Sequence, residues 1–379
     1  MSTTLEEILA GRSICICAGA GGVGKTTTAA AIAAGMAARG LKVAVLTIDP
    51  AKRLADSLGV EELGNVERRV DPAVFERAGV DPGEGELWAM MLDPKATFDG
   101  VVTRYAPDEE SLRRILDNRI YQQISTALAG SQEFMAMERL YEVHEEGGYD
   151  LLVLDTPPSR NALDFLDAPG RLIGFIEGRS LALFRGPAGL GLRFAGLGAG
   201  MISSVVRRLT GLDLIEDLSE FFAATAGMLG GFRQRAERVG ELLADERTSF
   251  LIVCGPAEEP IEEALHLREK LDEGGLQLGC VIVNRIHPGT DRGAREEDPS
   301  AALREKLGDA DLVERVLASH AAHRAIVERD TVNVSRLVER TGGAPMIRVP
   351  ELDDEVNDLA GLLELGPYLF GDLDGRRDV

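Results

Sequence analysis

The sequence predicts an α/β protein built on a doubly wound, mostly parallel sheet. Short, continuous runs of Val, Ile and Leu recur along the chain, and helical stretches lie between several of them. Continuous apolar runs are typical of strands buried on both faces of a parallel sheet, because helices cover each face. The length of 379 residues is also sufficient to bury the large core that such a sheet requires.

The apolar runs and the helical stretches alternate along most of the chain. The expected strands are Ser13–Ala18, Lys42–Ile48, Leu151–Leu154, Ser249–Cys254, Gln277–Val283 and Met346–Val349. The expected helices are Lys25–Arg39, Met135–Glu146, Pro260–Glu273 and Asp311–Glu328. Such alternation is typical of a doubly wound sheet. It stops from about Asp93 to Asp245, where we expect an α-helical subdomain, formed by residues 94–148 and 160–245 and inserted in one domain that spans 1–379.

Composition and charge exclude several classes of protein. Lys and Arg number 41 and Asp and Glu 63, which gives a net charge of −22. Because this charge repels phosphate backbones, we expect no nucleic acid partner. The most apolar long segment, Gly186–Val206, contains Arg193 and several glycines, so we expect no integral membrane span. The first residues also lack the apolar core of a signal peptide.

The cysteines indicate a reduced, cytoplasmic protein. They are too few and too scattered for a disulfide framework, and all lie in apolar runs: Cys15, Cys17, Cys254 and Cys280. Neither a CxxC pair nor a cysteine triad is present, so we expect no metal held by thiols. His320 and His323 lie one helical turn apart and are interpreted as ordinary surface histidines.

A glycine-rich loop follows the first expected strand and opens the first expected helix. Its sequence, Gly19-Ala20-Gly21-Gly22-Val23-Gly24-Lys25-Thr26, fits the phosphate-loop pattern GxxxxGK[ST]. The same residues also fit the dinucleotide pattern GxGxxG, with Asp49 as the acidic residue after the second strand. That pattern normally continues into an apolar helix start, whereas here Lys25, Thr26 and Thr27 follow. The sequence therefore favours a phosphate site with a metal.

Each part of the loop has an expected role in binding ATP and Mg²⁺. Backbone N–H groups from Gly21 to Thr26 surround the phosphates at the positive end of the helix dipole. Lys25 bridges the β- and γ-phosphates, and the Thr26 hydroxyl ligates Mg²⁺. Asp155, which ends the apolar strand from Leu151, fits the acid that holds Mg²⁺ in phosphate-loop proteins. An acid at this place is otherwise a helix cap, but the loop upstream favours the metal.

The order of these motifs resembles a family of deviant phosphate-loop ATPases, the ArsA-like ATPases. The resemblance rests on residues 21–27 (GGVGKTT), 48–51 (IDPA) and 154–158 (LDTPP), with weaker matches at 137–141, 283–284 and 349–356. It covers most of the chain. That family includes arsenite-pump ATPases and the ATPase that targets tail-anchored membrane proteins.

The resemblance implies roles for three further residues. Asp49 matches the acid that orients the attacking water; its other interpretation is a helix N-cap before Pro50. Asn284 matches the residue that reads the adenine edge; alone, it is also a common turn former. Pro350 would cover the other face of the base. The implied protein is a dimeric ATPase switch, whose nucleotide state opens and closes the helical subdomain.

Ala20 is the main departure from the family pattern. ArsA-like loops usually have at this position a second lysine that reaches across a dimer to the partner's phosphates. Its absence keeps open a slow ATPase, or a weakly catalytic subunit of a heterodimer with a lysine-bearing paralogue. Arg160, Lys52 and Arg53 are candidates for a substitute charge. The cysteines argue against an arsenite pump, and Gly366–Val379 lacks the basic amphipathic pattern of a membrane-positioning ATPase.

The centre of the chain has two interpretations. Pro169–Leu212 carries several arginines against a single acid, and apolar residues recur at helical spacing in Leu209–Phe222. These features fit a mobile apolar surface that docks a helical client. They also fit an ordinary helical layer over the sheet, which the spacing in Leu209–Phe222 favours. The glycines of Gly186–Gly200 weaken a fixed helix and favour the binding interpretation there.

Overall fold

The computed structural model describes residues 4–49, 52–118, 121–122, 132–156, 229–289 and 299–371. These residues form a central eight-stranded sheet. Its strands are β1 (Ile14–Ala18), β2 (Lys42–Thr47), β3 (Arg68–Arg69), β4 (Glu86–Met91), β5 (Leu151–Asp155), β6 (Thr248–Cys254), β7 (Leu278–Ile286) and β8 (Met346–Pro350). The strand order is β3-β4-β2-β5-β1-β6-β7-β8, and β3 alone runs antiparallel to its neighbour.

Helices cover both faces of this sheet. In chain order they are α1 (Leu5–Leu9), α2 (Lys25–Ala37), α3 (Arg53–Leu58), α4 (Pro72–Arg77), α5 (Pro94–Tyr105), α6 (Glu109–Asp117), α7 (Gln132–Glu146), α8 (Leu229–Ala244), α9 (Glu258–Glu273), α10 (Pro299–Leu307), α11 (Ala310–Arg340), α12 (Leu359–Glu364) and α13 (Gly366–Phe370). One core layer contains buried residues of α1–α4, α12 and α13, and the opposite layer those of α7–α9 and α11. The doubly wound fold expected from the sequence is thus confirmed.

The central strands show how the sequence produces two cores. Every residue of β1 is buried. Because successive side chains of a strand point to opposite faces, Cys15 and Cys17 enter the core layer beneath α2, whereas Ile14 and Ile16 enter the other. On α2, Gly35 faces the ring of Phe370, and a Cβ atom there would lie 2.3 Å from the ring. Small residues along α2 therefore let α13 and the sheet approach it closely.

The structure differs from the sequence expectations at β3, β4 and α11. The strand β4 was not expected, since its sequence ELWAMM contains no β-branched residue; it forms because it pairs in parallel with the buried strand β2. The helix expected to end at Glu328 continues to Arg340 and is 31 residues long. Val334 and Leu337, one turn apart and buried against the sheet, account for that extension.

The division into a nucleotide domain with an inserted helical subdomain stays a prediction. Of the two segments, 94–148 contains α5, α6 and α7, and 160–245 contains α8. Residues 157–228, which include Pro169–Leu212 and Leu209–Phe222, lie outside the described part of the chain. Within the described ranges, no helix combines the length and the apolar character needed to span a membrane.

Candidate functional site

One edge of the sheet brings the candidate residues together. The glycine loop follows β1, Asp49 follows β2, Asp155 ends β5, and Asn284 and Pro350 lie near the ends of β7 and β8. Because these strands are parallel, their carboxyl ends meet at this edge. A cavity of about 910 Å³ lies there, lined by Gly22, Gly24, Lys25, Thr26, Thr27, Asp49, Asn284 and Pro350 among others. Gly19, Ala20, Gly21, Val23 and Asp155 are not among its lining residues.

The glycine loop passes too close to its neighbours for larger side chains. A Cβ atom on Gly19 would lie 1.9 Å from the carbonyl oxygen of Val253 on β6. Gly24 has φ +91°, and a Cβ atom there would lie 2.4 Å from Nδ2 of Asn284. These positions therefore require glycine. Gly24 is also the N-cap of α2 and supplies no side-chain cap, so the first N–H groups of the helix remain available to an anion.

Lys25 is a buried cation at the base of this loop. Its side chain is 6% exposed, and Nζ donates a hydrogen bond to the carbonyl oxygen of Ala20 at 2.7 Å. Burial lowers the pKa of Lys25, and the nearby charge of Asp155 opposes that shift. A buried ammonium is stable only when anions or acceptors surround it. The geometry therefore suits Lys25 to an anionic ligand at the loop.

Asp155 is a nearly buried carboxylate that receives two hydroxyl groups on one oxygen. Thr26 Oγ1 donates to Oδ2 at 2.7 Å, and Thr47 Oγ1 donates to the same atom at 2.8 Å. Burial raises the pKa of Asp155 to about 6, although both hydrogen bonds and Lys25 act to lower it.

The second oxygen of Asp155 tests whether Mg²⁺ fits this site. Oδ1 is buried and has no hydrogen-bond partner among the described residues. An unsatisfied buried acceptor is costly, and a hard cation or its water is the partner that satisfies a carboxylate of this kind. The two partners of Asp155 are hydroxyl oxygens, the kind of ligand that Mg²⁺ prefers. Thr26 and Asp155 therefore fit the metal expected from the sequence.

Asp49 lies on the wall of the same cavity. Its backbone N–H donates to Thr47 Oγ1 at 3.2 Å, and its side chain is half-buried. The helix after it, α3, begins at Arg53 and has Lys52 at its N-cap position. Asp49 is thus not the N-cap of α3, and its role in orienting the attacking water stays a prediction.

Asn284 and Pro350 also line the cavity. The Asn284 amide donates through Nδ2 to the carbonyl oxygen of Val23 at 2.9 Å. In the structure it therefore braces the glycine loop. Pro350 ends β8 and is buried.

The structure adds site residues that the sequence motifs did not indicate. Thr47 joins Asp155. Thr156 already belongs to the sequence motif 154–158, and the structure adds that its Oγ1 donates to the carbonyl oxygen of Cys17 at 2.9 Å, which ties β5 to β1. Arg285 has φ +59° at an irregularity of β7, and its Nη1 atom lies 3.3 Å from the carbonyl oxygen of Gly22. No spacing rule indicates Arg285, because strand pairing produces the irregularity.

The candidate substitutes for the missing lysine occupy different places. Ala20 is 8% exposed and belongs to the core beside α2. Arg53 lines the cavity, whereas Lys52 is exposed outside it. Arg160 lies outside the described residues.

The structure places the four cysteines in the core and both His320 and His323 on a half-exposed face of α11. All the cysteines are buried and free, and burial raises the pKa of Cys254 to about 12. His320 and His323 are half-exposed on α11. In the parts of the chain that the structure describes, no cluster of His, Cys, Asp and Glu could hold a metal ion.

Comparisons with known proteins identify the family of this chain. The ArsA ATPase family, described as an anion-transporting ATPase, matches residues 12–302. ATPase GET3 of Podospora anserina is 26% identical over 297 residues, which cover 77% of this chain and 79% of the relative. ATPase get3 of Neurospora crassa has the same identity and coverage. ATPase GET3 of Malassezia globosa is 26% identical over 291 residues, covering 75% of this chain and 76% of the relative. The chain therefore belongs to the ArsA family of ATPases.

Proposed function

We propose that this chain is an ATP-hydrolysing switch that binds ATP and Mg²⁺ at the edge of the sheet. The observation that carries the proposal is the hydrogen bond between Thr26 and Asp155, beside the buried amine of Lys25. It supports a pair of metal ligands, beside a cation that would bind phosphate, where the end of β5 meets the start of α2. Such a combination suits a nucleoside triphosphate better than a dinucleotide, which needs neither group.

Binding of the phosphates falls to the loop and to Lys25. The N–H groups of residues 21–26 and the N-terminal end of α2 attract the β-phosphate. On phosphate binding, Lys25 exchanges the carbonyl oxygen of Ala20 for β- and γ-phosphate oxygens, which gains a charge-assisted contact in place of a neutral one. Thr26 and Asp155 would hold Mg²⁺, which when bound neutralises charge on the phosphates.

Hydrolysis falls to Asp49. The attacking water needs an acceptor that orients its lone pair toward the γ-phosphorus, and the Asp49 carboxylate lies on the cavity wall where it can accept a hydrogen from that water. Of the other residues that line the cavity, Asn284 would read the adenine edge and Pro350 would cover the other face of the base. The contact between Asn284 and Val23 couples base recognition to the glycine loop.

The proposal extends to the assembly. By its likeness to the family, the chain would act as a dimer in which ATP opens and closes the helical subdomain. That subdomain would also bind an apolar helical client. A cytoplasmic location belongs to the same proposal and is supported by the free, buried cysteines.

Ala20 supports a second candidate, an ATP-binding subunit that hydrolyses slowly without a lysine-bearing partner. The position is filled by a buried methyl group rather than a cation, so this chain alone supplies no charge from that residue. In both candidates the nucleotide site is the same. They differ in whether two copies of this chain complete the catalytic site.

Two measurements on the purified chain test these proposals. Calorimetric binding of Mg·ATP tests the site, and release of inorganic phosphate at increasing protein concentration tests catalysis. Binding with fast, Mg²⁺-dependent release supports the switch acting alone, whereas binding with very slow release supports the partner subunit. Failure to bind Mg·ATP would contradict both.

A further inference from the structure

His287, the residue after β7, lies between two carboxylates from different parts of the fold. Its Nδ1 atom is 2.7 Å from Oδ2 of Asp330 on α11. Its Nε2 atom is 3.2 Å from Oε2 of Glu351, which follows β8 and lines the nucleotide cavity. One imidazole therefore connects α11, 31 residues long, to a wall of the cavity.

The two contacts together determine the protonation state of the ring. Asp330 is fully buried; burial alone would raise its pKa, but hydrogen bonds from Arg329 and His287 outweigh that effect and leave the pKa below its ordinary value. Asp330 is thus an ionised carboxylate, which only accepts, so Nδ1 must donate. An ionised Glu351 likewise needs a proton on Nε2. Only the imidazolium has both protons, since neutral imidazole has one N–H.

The two carboxylates are not held equally. Asp330 also accepts from the backbone N–H of His287 at 3.3 Å, and its Oδ1 atom accepts from Arg329 Nη2 at 2.8 Å. The side chain of Glu351 is 50% exposed. Its contact with His287 is therefore the one that deprotonation of the ring releases.

The remaining groups around His287 are also polar. The ring of His323, on α11, lies 6.1 Å away in an edge arrangement, and its Nε2 atom is 3.0 Å from the carbonyl oxygen of Pro288. Among the described residues, the ionisable groups facing His287 are Asp330, Arg329 and His323 from α11 and Glu351 from the segment after β8.

The segment 351–357 is an acidic wall of the cavity, with Glu351, Asp353, Asp354 and Glu355 among its lining residues. A polyphosphate is repelled by such a wall, and the repulsion is greater for every carboxylate that has no cation beside it. The imidazolium pairs with Glu351 and ties this end of the wall to α11. Loss of the proton would add an uncompensated charge and free the wall to move.

We propose that protonated His287 is a positioning residue that holds the acidic wall 351–357 in the arrangement that binds nucleotide. Nucleotide affinity then falls when the ring loses the proton that Glu351 accepts. The inference rests on the proposed function, because it takes the ligand of the cavity to be a nucleoside triphosphate.

Calorimetric titration of the full chain with Mg·ATP at pH 6.5 and 8.5 tests this inference. The variants are His287→Asn and Glu351→Gln. Asparagine places an amide N–H near the position of Nδ1, so the contact with Asp330 is kept and the contact with Glu351 is lost. Glu351→Gln removes the charge of the exposed partner alone and serves if His287→Asn does not fold.

The expected result is a difference between pH profiles. From pH 6.5 to 8.5 the wild-type Kd should rise about 3- to 10-fold more than that of either variant, which corresponds to one charge-assisted contact. Titration of ATP itself and of Asp155 is common to all three proteins and cancels. Parallel profiles would overturn the inference and leave the proposed function intact. Absence of Mg·ATP binding in every protein would instead contradict the proposed function, and the inference with it.

Discussion

Thr26 donates its hydroxyl hydrogen to Asp155 at 2.7 Å, across 129 residues of sequence. The contact joins the first turn of α2 to the end of β5, and it exists because β1 and β5 pair in parallel and end together. The hydroxyl of Thr47 donates to the same oxygen, Oδ2. The other carboxylate oxygen, Oδ1, has no hydrogen-bond partner among the described residues.

Replacing Asp155 by asparagine should separate the effect of this carboxylate on folding stability from its effect on Mg·ATP binding. The pKa of about 6 in the folded chain exceeds the value of about 3.9 expected when unfolded, so the ionised form is less favourable in the folded state. Asp155→Asn removes that charge and keeps an acceptor for Thr26 and Thr47. We expect an unchanged or higher Tm at pH 7.5 without Mg²⁺, and Mg·ATP binding weakened at least 10-fold, on the order of one lost charge contact. A lower Tm with normal binding would contradict the assignment.

The same pKa predicts how pH acts on metal binding. Because its folded-state pKa is raised, Asp155 binds a proton more strongly in the folded chain, so its protonation adds stability as pH falls from about 6 to about 4. The metal needs the carboxylate, so affinity for Mg²⁺ should fall up to about tenfold for each pH unit below 6. Mg²⁺ titration of the nucleotide-free chain between pH 5 and 7.5 measures this effect. Asp155→Asn should lack the steep decline; a decline of the same slope in both proteins would assign it to another group.

Asp49→Asn should lower turnover and leave binding nearly intact. Asparagine keeps the size of the side chain but loses the charge that orients the attacking water, so we expect kcat to fall about 10²-fold or more. Kd for Mg·ATP should change by less than about threefold. Glu62→Gln, which alters an exposed carboxylate outside the cavity, is the control. If Asp49→Asn instead weakened binding and kept the turnover of bound ATP, Asp49 would be structural.

Asn284→Ala should reduce both affinity and base selectivity. The substitution removes the amide that braces Val23 and that would read the adenine edge. We expect Kd for Mg·ATP to rise about 10-fold and the preference for ATP over GTP to narrow, as loss of a base contact usually costs roughly 1–3 kcal/mol. Asn333→Ala is the matched control, because it removes a similar hydrogen bond from a side-chain amide, in this case to the carbonyl oxygen of Pro256. Equal selectivity in Asn284→Ala and wild type would show that other residues read the base.

Ala20→Lys should raise hydrolysis in a concentration-dependent manner. A lysine at this position would leave the core through its flexible stem and reach a partner's phosphates, where one cation is worth about 10³-fold or more in related phosphoryl transfers. Phosphate release at several protein concentrations measures the gain. Ala20→Met has a similar stem without the charge, and it should show no gain. Fast, concentration-independent release by the wild type would contradict the need for a lysine and make Arg53 the next candidate for substitution.

The parts of the site that the sequence predicted are local motifs. Gly24, Lys25 and Thr26 are contiguous, and Asp155 ends an apolar strand. Their roles in binding phosphate and metal could therefore be predicted from the sequence alone. The sheet was predictable where buried strands are continuous and apolar. The strand β4 was not, because its residues have little strand preference and pairing with β2 determines its conformation.

The remaining site residues depend on long-range geometry. Thr47 reaches Asp155 because β2 pairs with β5, and Arg285 turns toward Gly22 at an irregularity that strand pairing creates. His287 meets Glu351 because β7 and β8 end side by side. None of these contacts has a fixed spacing in sequence, so no motif indicates them.

Lys25→Met tests the central claim most directly, because it removes the ammonium and keeps most of the buried volume. The measurement is calorimetric binding of Mg·ATP to the wild type and to this variant, at equal folded fraction by circular dichroism. We expect the wild type to bind and the Kd of the variant to be higher by on the order of 10²-fold or more, since a buried charge partner of the phosphates is lost. Equal affinity in the two proteins would contradict the claim that the glycine loop and Lys25 form the ATP site.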